Sequence, residues 1–448
     1  MNNKNFTEQL SKWVVDNYVI KDKKAKELAC HAFLDTIPCI ILGYNDPATK
    51  IVRNTANAFG TGKCSVIGGD IKLSSPNAAM INATAAHALD FDDNYLPAIT
   101  HPSAVLIPAL IAVAEENNIS INNMIDAYII GTEVEAIIGK FVNPKHYEKG
   151  WHNTSTIGTI GCAAACASLL NLNQEEIQNA ISISVSMASG TKKQFGFSTK
   201  PYHAGMTAQN GITATCLAKN GLDACPEPIT GDWGFNDLYN QDSSNYCEDL
   251  FNEKLAITTA GLLPKRFPCC GSIHRTIDGI IELMEENSIN SKDIEKIETL
   301  IPELMYNNLK YNSPDTESEA RFSMHYCVSV IVNTGKLTLS DFKLDAINNR
   351  KEIRDWMDKL KMSKYQVEMG KAPMTHHITI YLKNGNTYKR AISESKGGIT
   401  KPFNCEDRKA KFYDCVSSYL NQEEQDKLYN NLYNLEDLKN IKDITDFF

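Results

Sequence analysis

No residue from Asn153 to Gln174 carries a charge, and two further stretches, Pro102–Glu116 and Met124–Phe141, are apolar on nearly every side. A helix without a polar face must be covered all round. Three such helices belong in the interior of a large bundle, and a chain of 448 residues has the material to enclose them. The uncharged run holds too many Ser, Thr, Asn, Gly and Gln residues for a membrane span. The stretch 151–222 is rich in Ala, Gly, Ser and Cys, small side chains that let helix backbones approach closely.

Helical spacing extends on both sides of these runs. Phe6, Leu10, Trp13, Val14 and Tyr18 form one apolar stripe, Leu28 to Ile40 a second, and Pro47–Phe59 predicts a third helix. Residues 63–73 read as a loop or small hairpin. Ser74-Ser75-Pro76 marks a helix start, with a hydroxyl cap and proline in the first turn. That helix leads into three acids, Asp90, Asp92 and Asp93, against the preference of a helix C-terminus for cations.

The character changes near Pro264. A helix over Ser272–Glu286 is followed by an alternating run, Ile294–Pro302, then by helices over Glu317–Asn333 and Lys351–Met362. His376–Leu382 and Thr387–Ile392 alternate on either side of Lys383-Asn384-Gly385-Asn386, and the Asn-Gly pair signals a hairpin. The expected architecture is mainly α: a large all-helical domain from 1–264 and 396–448, and a smaller α+β domain over 265–395.

A net charge of −9 without a dense basic run argues against nucleic-acid and membrane partners. Thirteen scattered cysteines, several in apolar helical sequence, predict reduced thiols in a cytoplasmic setting, and the polar N-terminus is unlike a signal peptide. No spacing matches a zinc or iron–sulfur site, and the glycines fit no nucleotide-binding loop, so neither metal nor cofactor is expected.

Chemistry concentrates in four places. His87-Ala-Leu-Asp-Phe-Asp-Asp-Asn-Tyr-Leu-Pro-Ala-Ile-Thr-His101 carries acids and a histidine out of a helix into a loop bounded by Pro102. His152 precedes a helix whose first N–H groups favour a neutral imidazole. Lys200 stands with His203 on a proline-bounded loop among Phe195, Phe197 and Tyr202, suited to anchoring a carboxylate or phosphate. His274 lies in the first turn after Cys269-Cys270-Gly271-Ser272. Neutral imidazoles at helix starts can act as bases near pH 7. His31, His87, His146, His376 and His377 read as structural or solvated.

Together HALDFDD with HPS, GWHNTSTIGTIGCAAA, KPYHAG, KRFPCCGSIH and EARFSMHYCV resemble the MmgE/PrpD family, over roughly residues 5–420. The resemblance implies a homodimer of a helical domain with an α+β lid, and a metal-independent enzyme of small di- or tricarboxylates. It implies Asp93, His101, His152, Lys200 and His274 as catalytic residues, with Asn94, His203 and Lys265 binding substrate; Asp90 and Asp92 are left structural roles. Asn94 stands where the family often has threonine. The activity expected first is 2-methylcitrate dehydration, then cis-aconitate decarboxylation and iminodisuccinate epimerisation. A non-catalytic helical binding protein is the alternative outside enzymes, and it predicts a degraded pocket.

Overall fold

In the computed structural model, which describes residues 5–241, 248–251, 254–367 and 372–448, the uncharged run is a helix with every residue buried, Asn153–Leu169. The long helices are numbered here in chain order. α1 (Phe6–Asp16), α2 (Lys23–Gly43) and α3 (Pro47–Asn57) precede α4 (Ser75–Ala88), which leads to the acid loop. α5 (Pro102–Asn117), α6 (Ile121–Val142) and α7 (Asn153–Leu169) form the interior, with α8 (Gln174–Met187) and α9 (Thr199–Lys219) beside them. Their closeness depends on small residues: a Cβ on Gly211 of α9 would lie 2.5 Å from Cys162 Sγ of α7. One apolar core runs through these helices and takes in Phe412, Cys415, Leu428 and Ile444 from the C-terminal segment. Among the described residues no single helix is long and apolar enough to cross a membrane.

A second, smaller core gathers Phe267 to Ile392. It contains α10 (Gly271–Glu286), α11 (Met324–Thr334) and a four-stranded sheet. Two short strands, β1 (Cys64–Ser65) and β2 (Lys72–Leu73), form the small hairpin earlier in the chain. The larger sheet has β3 (Ile294–Pro302), β4 (Leu360–Tyr365), β5 (His376–Leu382) and β6 (Thr387–Ile392), in the order β4-β3-β5-β6. β5 and β6 form the hairpin that the Asn-Gly pair predicts, with Gly385 at positive φ. The fold is mainly α with a smaller α+β unit. α12 (Cys405–Val416) and α13 (Gln422–Tyr433) then return to the helical core.

Three local expectations change. Helix Lys351–Met362 stops at Met357, and Leu360–Tyr365 instead pairs in parallel with β3 as an edge strand. Of its six residues Leu360 alone is buried, and its alternation ends at Ser363, so tertiary pairing decides. The Glu317–Asn333 helix breaks at Arg321–Ser323, where Arg321 Nη1 donates to Leu89 O (3.1 Å) and Pro268 O (2.8 Å) and Ser323 caps α11. Lys200 is not on a loop but in the first turn of α9, with the side chain buried.

Candidate active site

Between the two cores lies a cavity of about 490 Å³, walled by the acid loop, the starts of α5, α7, α9 and α10, and residues of the smaller unit. α4 ends at Ala88, and Asp90 takes a left-handed conformation (φ 53°), one that Asp tolerates better than most residues. The turn aims its carboxylate at α9: Lys200 Nζ donates to Asp90 Oδ1 at 2.6 Å and to His87 Nε2 at 2.8 Å. Because lysine can only donate, His87 carries its proton on Nδ1 and gives it to Asp92 Oδ2 (2.8 Å). Burial then keeps the His87 imidazole neutral. Burial alone would raise the Asp90 carboxyl, but Lys200 and Lys265 outweigh it and hold it well below the usual range. Asp90 Oδ2 is buried with no hydrogen-bond partner among the described residues, although the residue lines the cavity.

The cavity imidazoles are fixed one by one. His101 precedes α5, and its Nδ1 donates to Asp93 O at 2.7 Å, which leaves Nε2 the lone pair. Burial, then Lys265, lowers its pKa well below the ordinary value. His274 donates from Nε2 to Cys269 O (3.2 Å), and burial lowers it to about 3. His152 is the N-cap of α7; its Nδ1 lies 2.9 Å from His203 Nδ1, so one proton sits between the two rings. Among the described residues its Nε2 has no hydrogen-bond partner, and burial, then His203, pushes its pKa well down. Unpartnered polar atoms in a cavity wall are positions that a ligand can satisfy.

Of the residues singled out from sequence, Asn94, His101, His152, Lys200 and His274 share this cavity. Three do not. Asp93 is turned away: Ser103 Oγ donates to its Oδ2 (2.5 Å), Tyr128 stands behind that hydroxyl, and burial raises the carboxyl to about 7. Only its backbone oxygen serves the site, by holding His101. The acid that faces the cavity is Asp90, which the sequence reading had left a structural role. Lys265 is fully buried behind the wall, donating to Asp90 O (3.0 Å) and lying 3.3 Å from Asp90 Oδ1, so it braces the acid and does not line the cavity. His203 stands behind His152 and does not reach the wall either.

Two further residues stand at this site: His87, whose sequence context reads as structural and which holds Lys200, and Arg275, which the sequence does not single out. His87 offered a spacing of five to Asp92, which means nothing until the loop folds back. Arg275 adjoins His274 and lines the cavity from the smaller unit. His87, Asp92 and His101 bring donor atoms within 4.8 Å of one another, as a metal set does. Yet both Nδ1 atoms are spent on protein hydrogen bonds, and Lys265 stands 3.9 Å from Asp92 Oδ1, so the cluster reads as a proton network.

The chain is 29% identical over 425 residues to cis-aconitate decarboxylase of Homo sapiens, covering 92% of this chain and 88% of that protein. It is 25% identical over 403 residues to the Aspergillus terreus cis-aconitate decarboxylase, covering 84% and 82%. With 2-methylcitrate dehydratase of Escherichia coli K12 it shares 22% over 413 residues, covering 85% and 83%. Residues 8–247 match the MmgE/PrpD N-terminal domain and residues 267–435 the C-terminal domain, so the chain belongs to the MmgE/PrpD family.

Proposed function

We propose that the protein is a lyase that decarboxylates a cis-aconitate-type tricarboxylate. The observation that carries the reading is one ammonium, Lys200, held among imidazoles that burial keeps neutral, beside an unpartnered His152 Nε2. The higher identity to decarboxylases than to the dehydratase, 29% against 22%, supports decarboxylation ahead of dehydration.

The chemistry balances within such a site. The bond from the CH2 carbon to its carboxylate breaks and CO2 leaves. The released pair forms the new C=CH2 bond, and the old double-bond pair moves to the carbon next to the remaining terminal carboxylate. A proton delivered there gives itaconate. Burial keeps the imidazoles neutral; a bound trianion stabilises imidazolium, so His152 takes up a proton at Nε2 with the substrate and delivers it to carbon. Lys200 anchors a carboxylate and stabilises the charge that develops.

The test is cis-aconitate in deuterated buffer followed by NMR. The expected product is itaconate with one deuterium in its saturated methylene; unchanged cis-aconitate overturns the reading. A second reading draws on His101, whose Nε2 lone pair suits removal of an α-proton, the first step of 2-methylcitrate dehydration. Parallel tubes with 2-methylcitrate and iminodisuccinate separate the three reactions.

A further inference from the structure

Arg275, in the second turn of α10, is 4% exposed, yet it is among the residues that line the cavity. Nε donates to Ser393 O at 2.9 Å and Nη1 contacts Met305 Sδ at 3.3 Å. Neither partner bears a charge. The acids nearest to it are committed elsewhere: Asp278 holds Arg266 at 3.1 Å and accepts from Lys396 N at 2.9 Å, and Glu394 accepts from Thr400. A buried cation with no ion pair among the described residues is costly, and burial lowers the Arg275 pKa against the pull of Glu394. By contrast Lys200, on the helical unit, already faces Asp90.

We propose that Arg275 is the anchor for a second substrate carboxylate, so that the substrate spans the cavity from Lys200 on the helical unit to Arg275 on the α+β unit. This rests on the reading of the site as a tricarboxylate lyase. The remaining N–H groups of the guanidinium form a planar fork that matches a carboxylate. Ser272 and Asn308, hydrogen-bonded to each other at 3.2 Å, put neutral polar groups on the same wall. A substrate held at both ends ties the smaller unit to the bundle, and Arg275 thereby selects for ligands with a carboxylate at each end over shorter acids.

Calorimetry with the full chain tests this, using propane-1,2,3-tricarboxylate, which cannot react, and methylsuccinate as a ligand lacking one terminal carboxylate. The wild type should prefer the tricarboxylate. Arg275→Gln should weaken it by about 10- to 100-fold, the range of a charge-assisted hydrogen bond, and largely erase the preference, with methylsuccinate binding as the check on folding. If the Gln variant does not fold, Arg275→Lys, which keeps the charge and loses the fork, is judged by the same loss of preference. Binding of the tricarboxylate within twofold of wild type, or a wild type without the preference, overturns the inference. Turnover of cis-aconitate is measured on the same preparations. Arg275-dependent binding without turnover sinks only the lyase reading; turnover with an unchanged preference in the variant sinks only this one.

Discussion

The two acids Asp90 and Asp93 are three residues apart and do opposite things. Asp90 is ion-paired and held ionised; Asp93 is buried against a hydroxyl and raised to about 7. An acid with a raised folded pKa keeps its proton in the native state where the unfolded chain has released it. Stability therefore falls as pH rises from about 4 to about 7, and is level beyond. Asp93→Asn removes that slope, on the order of a few kcal/mol across the window, and leaves kcat/KM within about threefold, under 1 kcal/mol. Melting midpoints against pH, with turnover at pH 7, check both; a loss of rate of a hundredfold or so would return Asp93 to the catalytic set. His203 is a positioning residue. It shares a proton with His152 and lowers the pKa of that ring. His203→Phe should cut kcat by about a hundredfold and move the alkaline limb of the pH profile to higher pH, with His203→Asn recovering part of the rate. A profile that stays in place would show that His203 only fills space.

At the scale of elements, much was legible because one rule dominated each stretch. The uncharged run had to be interior, and α7 is buried throughout. The Asn-Gly turn fixed the β5–β6 register. What stayed hidden was set by contacts distant in sequence: β4 by its pairing with β3, the break before α11 by Arg321, and the left-handed Asp90 by Lys200 and Lys265. The resemblance led to the acid cluster, but the acid that faces the cavity is a different member of it, because backbone conformation decides which of three carboxylates faces inward. Two glycines of the bundle separate packing from propensity. A Cβ on Gly158 of α7 meets nothing nearer than Thr207 Cγ2 at 3.4 Å, whereas one on Gly211 meets Cys162 Sγ at 2.5 Å. Gly158→Ala should be neutral or stabilising by up to about 1 kcal/mol, and Gly211→Ala destabilising by about 1–3 kcal/mol. Thermal melts of the two variants should move in different directions; equal shifts would mean that the helices are not in contact as described.

At the scale of the whole molecule, the C-terminal segment returns across the bundle to reach the site. Lys411 of α12 is buried, pairs with Asp35 of α2 at 2.8 Å, and donates to Phe91 O at 2.7 Å, in the loop between Asp90 and Asp92. One ammonium thus joins chain end, bundle and acid loop. Removing one partner of a buried pair leaves the other charge uncompensated and costs about 3–5 kcal/mol, while replacing both by apolar groups is often neutral. Lys411→Met should accordingly lower the melting midpoint by several degrees, and Asp35→Leu with Lys411→Met should recover most of it. Turnover should not recover in step, because the double variant still lacks the donor to Phe91 O, and Asp90 and His101 depend on the shape of that loop. Stability regained with activity still about tenfold down, just over 1 kcal/mol, is the expected outcome. Full recovery of both would mean that the tail contributes to folding alone and that the acid loop holds its shape without it.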